Sequence, residues 1–259
     1  MNSHAQIGII GLGAMGQGLA LNIAEKGYRI SVFNRHLDGV EENVAQDFVE
    51  NSEHRETMAG FDELDSFIQS LATPRKILLL VSAGAAIDEV IESLTPFLKA
   101  GDIIIDGGNS HYRDTERRLQ DLETMNIDYL GAGISGGPDG SRQGPAIMVG
   151  GTGYKKVSDL LCSITAQDSS GKACCSYIGA GGAGHYVKMV HNGIEYAEMQ
   201  LLAEAYQLLR YYCQVEPQEI ASIFNTWRDT DLDSYLLKVT ADILTQMDGD
   251  EPFIDKVLD

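Results

Sequence analysis

Apolar positions along the first hundred residues follow two alternating periods. The short β-branched runs QIGIIG (6–11), YRISVF (28–33), KILLLVS (76–82) and DIIIDGG (102–108) are bounded by turn residues and predict buried strands. AMGQGLALNIAEKG (14–27), closed by Gly27, and AAIDEVIESLTPFLKAG (85–101) carry the helical period. The polar stretch from Asp38 to Arg75 is expected to be solvated helix and loop. Strands alternating with helices imply an α/β fold with a doubly wound, mostly parallel sheet of the Rossmann type. Beyond Gly184 the strand signal fades, and helices are predicted at about 185–212, in EPQEIASIFNTW (216–227) and in SYLLKVTADILTQM (234–247). A boundary is placed near Gly181. Residues 1–180 then form a dinucleotide-binding domain, and 181–259 begin a helical one.

Composition narrows the function. A formal net charge of -19, with no Lys/Arg cluster or basic tail, argues against a nucleic-acid partner and against an anionic membrane surface. The longest apolar run, around Ile77–Val81, is too short to span a bilayer, and the first residues lack a basic segment followed by an apolar core, so a cytoplasmic location is expected. Cys162, Cys174, Cys175 and Cys213 show no metal-ligand spacing and are expected to be buried, reduced thiols; no metal is expected.

Gly11-Leu12-Gly13-Ala14-Met15-Gly16 follows a predicted strand and opens a predicted helix. Gly11 permits the tight turn, Gly13 leaves room for a pyrophosphate, and Gly16 lets helix and strand pack closely. The helix N-terminus offers unpaired N–H groups to the phosphates. The next strand ends in FNRH, where an NAD site carries Asp or Glu for the ribose 2′-hydroxyl. Asn34 and Arg35 stand there instead, and a guanidinium suits a 2′-phosphate, which points to NADP. Later strand ends carry DGGNS (106–110) and GISGGPDGSRQGP (133–145), which bring Asn109 and Ser135 to the ligand crevice; on spacing alone these are equally ordinary turns. In GGAGHYVKMVHNGIEY (181–196), Lys188, His191, Asn192 and Glu195 fall within an arc of about 100°, with Val187, Val190, Ile194, Ala197 and Leu201 opposite. For such a helix in isolation a solvated polar face is the favoured reading. Lys188 and Glu195, however, are two turns apart and do not form an i,i+4 pair.

DIIIDGGNSHYRDTERR, GISGGPDGSRQGPAIMVGG and GAGGAGHYVKMVHNGIEYAEMQLLAEAY closely resemble the decarboxylating 6-phosphogluconate dehydrogenases of the β-hydroxyacid dehydrogenase group, in order along essentially the whole chain. The resemblance implies that Ser135, Gly136 and Gly137 contact substrate near its carboxylate and C3, and that Asn109 lies between nicotinamide and substrate. It implies Lys188 as general base and acid, Glu195 as general acid, His191 and Asn192 as substrate ligands, and Tyr196 as a phosphate contact. Asn34 and Arg35 match residues around the 2′-phosphate. Three departures stand out: His36 replaces a small hydroxyl residue, Ser82 replaces a Lys beside the cofactor, and Pro138-Asp139 replaces the commoner acidic pair.

The implied reaction is NADP-dependent oxidative decarboxylation of 6-phosphogluconate, a phosphorylated sugar acid, to ribulose 5-phosphate and carbon dioxide. Oxidising a secondary alcohol needs a base for the hydroxyl proton, a part a partly buried lysine can play. The β-keto acid then loses carbon dioxide, and the resulting enediol needs an acid at carbon. Two alternatives stay open: a β-hydroxyacid dehydrogenase for a small unphosphorylated acid, and an NADP-binding module without turnover. Family chains are expected to continue past Asp259 into a helical region that supplies further phosphate ligands and most of a homodimer contact. The 259 residues are accordingly expected to be a fragment that binds NADP and turns over poorly.

Overall fold

The computed structural model describes residues 4–257. Eight strands form one sheet: β1 (Ile7–Ile10), β2 (Ile30–Phe33), β3 (Met58–Phe61), β4 (Lys76–Leu79), β5 (Ile103–Asp106), β6 (Asp128–Ser135), β7 (Ala146–Gly151) and β8 (Cys175–Gly179). Their order is β3-β2-β1-β4-β5-β6-β7-β8, parallel throughout except for the β6–β7 pair. The helices of this part are α1 (Ala14–Glu25), α2 (Val44–Glu50), α3 (Leu64–Gln69), α4 (Ala85–Leu94), α5 (Tyr112–Glu123), α6 (Gly137–Gln143) and α7 (Ser158–Ser163). Alternate strand residues serve two cores. Ile7, Ile9, Leu78, Ile103 and Ile105 join one cluster, and Ile10, Ile77, Leu79 and Ile104 the other. Both faces of the sheet are therefore covered, which is why its strands read as continuous apolar runs.

The expected doubly wound sheet is present, with one correction. The polar stretch 38–75 contains a strand, β3, paired in parallel with β2 from Ile30↔Met58 to Phe33↔Phe61. It also contributes Phe67 and Ile68 of α3 to the core. β3 has four residues of which only Met58 is buried, so it has no apolar run to reveal it. The cysteines also depart from expectation: Cys175 is buried, Cys162 and Cys174 are half-buried, and Cys213 is exposed.

The chain divides into two compact units, one up to Met189 and one from Val190 on. The division falls inside the long helix α8 (Ala183–Gln207), which runs on as a π-helical turn, Leu208–Tyr212. In the second unit, α9 (Pro217–Trp227) and α10 (Tyr235–Leu244) bury Ile220, Phe224, Leu237 and Leu244 together, with Leu202 and Tyr206 of α8 packed against them. Ser234 caps α10 by accepting from Leu237 N–H at 3.1 Å. Among the described residues no helix is long and apolar enough to cross a membrane.

Candidate functional site: a dinucleotide groove with a buried lysine

The groove begins where β1 turns into α1. Gly11 has φ +99°, and a Cβ there would lie 2.5 Å from the Leu80 carbonyl oxygen. A Cβ on Gly16 would sit 2.0 Å from the Gly11 carbonyl oxygen, so this glycine is what lets α1 close onto the turn. Gly13 is different: a Cβ there would meet nothing within 4 Å, and the residue is exposed. That open space, beside the first-turn N–H groups of α1, fits a pyrophosphate. Leu12 is buried, Ala14 is exposed and Met15 is half-buried. Leu12 N–H donates to Asn34 Oδ1 at 3.3 Å, which ties the turn to the end of β2.

A cleft of about 570 Å³ runs from Gly11 and Gly13 to Asn34, Arg35 and Glu41. A second, of about 320 Å³, is lined by Met15, Asn109, Ile134, Gly137 and Lys188. Leu80, Val81 and Ser82 border both, so the two are halves of one groove along the carboxyl ends of the strands.

The far half rests on buried charge. Asp106, at the end of β5, is fully buried; its Oδ1 accepts from Gly108 N–H at 3.0 Å. Its Oδ2 accepts from Ser110 Oγ at 2.7 Å, Tyr129 Oη at 2.8 Å and Arg118 Nη1 at 3.4 Å. These bonds fix the turn that presents Asn109, itself exposed, to the cleft. Burial opposes the charge on Arg118, but the Asp88 and Asp106 carboxylates outweigh it and hold its pKa above the ordinary value. Burial first, and then Asp106, push the Tyr129 phenol up.

His185 ties α8 to this network. Its Nε2 lies 3.1 Å from the Asp106 carbonyl oxygen, which can only accept, so Nε2 carries the proton and Nδ1 accepts from Thr115 Oγ1 at 2.7 Å. Burial lowers the pKa of the ring, against the pull of Asp106. Gly131, Gly133 and Ser135 follow at every second position of β6 and so share one face. A Cβ on Gly131 would sit 2.8 Å from His185 Nδ1, and one on Gly133 would sit 2.5 Å from Lys188 Cβ. Next on that face, Ser135 Oγ accepts from Lys188 Nζ at 2.7 Å. Lys188 is 9% exposed and Ser135 8%. Gly136 and Gly137, with φ +129° and +60°, turn the chain out of β6 into α6 and are exposed.

The structure thus brings Asn109, Gly137 and Lys188 to one cleft, with Ser135 against Lys188. His191, Asn192 and Glu195 form a cluster of their own on the α8 segment of the second unit. His191 Nδ1 is 3.4 Å from Asn192 Oδ1 and 3.6 Å from Glu195 Oε2, an i,i+4 pair with both side chains more than two-fifths exposed. Tyr196 is exposed, and so are Val190, Ile194 and Leu201, the apolar positions expected to oppose the polar arc. Among the described residues no group of His, Cys, Asp and Glu could hold a metal ion. Sequence reasoning passed over Glu41, Asp106, Arg118, His185 and the two glycines of β6. The alternation G-A-G-I-S before the Ser-Gly-Gly turn was the available signal for the last of these.

Fold and groove together define a nicotinamide-dinucleotide-binding protein of the doubly wound class. Residues 6–179 match the family described as the NAD binding domain of 6-phosphogluconate dehydrogenase, and residues 184–259 match its C-terminal domain. The chain belongs to the 6-phosphogluconate dehydrogenase family. It is 50% identical to a decarboxylating 6-phosphogluconate dehydrogenase of Bacillus licheniformis, over 98% of this chain and 54% of that one. It is 49% identical to an NAD(+)-dependent, decarboxylating enzyme of Bacillus subtilis (strain 168), over 98% and 53%. Among solved structures, a Plasmodium falciparum 6-phosphogluconate dehydrogenase, described in its apo form and in complex with NADP+ and with 6-phosphogluconate, matches with a TM-score of 0.86 at 40% identity, over 98% of this chain and 54% of that one. The chain spans about half the length of the curated relatives it matches.

Proposed function

We propose that the chain carries the dinucleotide site and the general base of an NADP-dependent 6-phosphogluconate dehydrogenase, which oxidises and decarboxylates its substrate to ribulose 5-phosphate. The single observation behind this is the buried Lys188 Nζ, 2.7 Å from Ser135 Oγ and on the wall of the cleft that Asn109 also lines. We take 1–180 as the dinucleotide-binding domain and 181–259 as the start of the helical one. Gly11, Leu12, Gly13, Ala14, Met15 and Gly16 hold the pyrophosphate, Asn34 and Arg35 the 2′-phosphate, and Asn109 the nicotinamide side. When bound, the nicotinamide supplies a hydride acceptor.

Lys188 takes the proton from the substrate hydroxyl as that carbon is oxidised, and Ser135 orients the amine by accepting one of its hydrogens. The β-keto acid then breaks its bond to the carboxylate, and the electron pair moves onto the keto oxygen, to which protonated Lys188 returns the proton. Glu195 gives a proton to carbon while Lys188 takes back the proton of the enol hydroxyl, restoring the carbonyl. Ser135, Gly136, Gly137, His191 and Asn192 bind the sugar acid, with Tyr196 at its phosphate. The NADP assignment rests on Arg35 and on the absence of Asp or Glu at the end of β2.

The test, run on a form spanning the full length of the relatives, is NADPH absorbance with 6-phosphogluconate, with carbon dioxide measured in the same reaction. Equal yields support the proposal; NADPH without carbon dioxide favours a simpler β-hydroxyacid dehydrogenase, and binding without either favours a binding module. Glu195→Gln is expected to leave the oxidation step near its parent rate and slow enediol protonation by about 10²-fold or more, the scale of general acid catalysis. An equal loss in both steps would remove Glu195 from that role.

A further inference from the structure

An acidic residue reaches the NADP-selecting corner by a route the end of β2 does not show. After Arg35 the chain turns at Asp38-Gly39, where Gly39 has φ +72°. Leu37 N–H donates to the Glu41 carbonyl at 2.9 Å, and Glu41 N–H to the Leu37 carbonyl at 2.8 Å. This small loop folds Glu41 back to the groove wall. There one oxygen, Oε2, accepts from Asn34 Nδ2 at 3.1 Å and from Arg35 Nε at 3.2 Å. Both residues assigned to the 2′-phosphate are therefore already engaged by an anion of the protein itself.

We propose that Glu41 is a specificity-determining residue that narrows the preference for NADP over NAD; the inference rests on the cofactor site proposed above. Its carboxylate competes with a ribose 2′-phosphate for Asn34 and Arg35 and repels that phosphate, while an uncharged ribose 2′-hydroxyl can donate to it. The hydrogen bond from Arg35 holds the Glu41 carboxyl below the usual carboxylate range, so it is ionised at neutral pH. The Arg35 side chain is 72% exposed and that of Glu41 34%, and an exposed pair of this kind is weak enough for a 2′-phosphate to displace. Glu41 thus reduces the NADP advantage without abolishing it, and both dinucleotides bind.

Titrating the chain, its Glu41→Gln variant and its Glu41→Ala variant with NADP and with NAD by calorimetry tests this. Both variants are expected to raise the ratio of NADP to NAD affinity by roughly tenfold, about 1.4 kcal/mol, through tighter NADP and weaker NAD binding. A ratio unchanged within about twofold in both variants, or a lowered one, overturns the assignment while leaving the cofactor site standing. A parent chain that binds neither dinucleotide overturns the cofactor site and this inference together. Thermal melts of the three proteins separate a specificity change from misfolding, since Glu41 lies at the surface.

Discussion

At the Lys188 end of the groove, Asp106, Ser135 and Lys188 are each less than one-tenth exposed, and sheet is tied to helix there by the contacts of Asp106 with Arg118 and His185 and of Ser135 with Lys188. At the Arg35 end, a surface guanidinium and a carboxylate from a seven-residue excursion meet over open solvent. The two ends belong to one compact unit and line one groove, yet the first is held by packing and the second by an ion pair that water can replace. The contrast assigns different duties. On the proposed reading, chemistry falls where packing holds the geometry, and cofactor choice where one exchangeable side chain can tune it.

The sharpest test of the buried end is Lys188→Ala in a form spanning the full length of the relatives. It is expected to cut NADPH formation by about 10³-fold or more, the upper scale of general base catalysis, while NADP affinity stays within about twofold of the parent. Comparable losses in both would make Lys188 a structural support of the groove and erase the contrast. At the exposed end, Arg35→Ala removes a charged hydrogen bond worth about 1.5–3 kcal/mol and is expected to weaken NADP binding by roughly ten- to a hundredfold. NAD binding should hardly change. Equal affinities of the parent for the two cofactors would sink the NADP assignment.

What the chain disclosed in advance follows from range. The glycine turn, α1 and the strands β1, β2, β4 and β5 were legible because their signals lie within one or two elements. Lys188 was legible as a member of a familiar segment, but its helical spacing alone favoured a solvated face, and only the contact with Ser135, fifty-three residues away, distinguishes it. Glu41 escaped because it returns to Asn34 through a turn, not through the strand end; Asp38-Gly39 was the local hint. Asp106 and Arg118 look like any surface charges in sequence, and only the fold buries both. Gly131 carried no signal and Gly133 fell in a segment that spacing alone reads as an ordinary turn, whereas both are the clearance that lets α8 lie on β6.

Two glycines turn that last point into a paired measurement. Gly133→Ala puts a methyl group 2.5 Å from Lys188 Cβ and is expected to destabilise the protein by about 1–3 kcal/mol, the usual cost of overpacking. Gly13→Ala meets no protein atom. Its stability should stay within about 0.5 kcal/mol, because a poorer N-cap and a stiffer unfolded chain oppose each other. Dinucleotide affinity should nonetheless fall sharply, since the added methyl occupies the space proposed for the pyrophosphate. If Gly13→Ala binds NADP as well as the parent, that space belongs to solvent and the groove has been read in the wrong place.

The smallest expected effect reports on His185 beneath the buried end. Burial lowers the pKa of this ring in the folded protein, whereas the unfolded ring titrates near its ordinary value of about 6.5. Below that value the unfolded chain binds a proton that the folded one refuses, so stability falls as pH falls; above it His185 contributes no slope. The carboxyls of Glu25, Glu41, Asp88 and Asp168, lowered by hydrogen bonds from their partners, act in the same direction but at lower pH, as protons return to their unfolded forms near about 4. Urea melts at pH 7.5 and 5.5 therefore isolate the histidine from them. The parent is expected to lose more stability across this interval than His185→Gln, although the variant starts lower for want of the bonds to Asp106 and Thr115. Parallel losses in the two proteins would mean that His185 takes up its proton in place, and that the buried end of the groove is wetter than its packing implies.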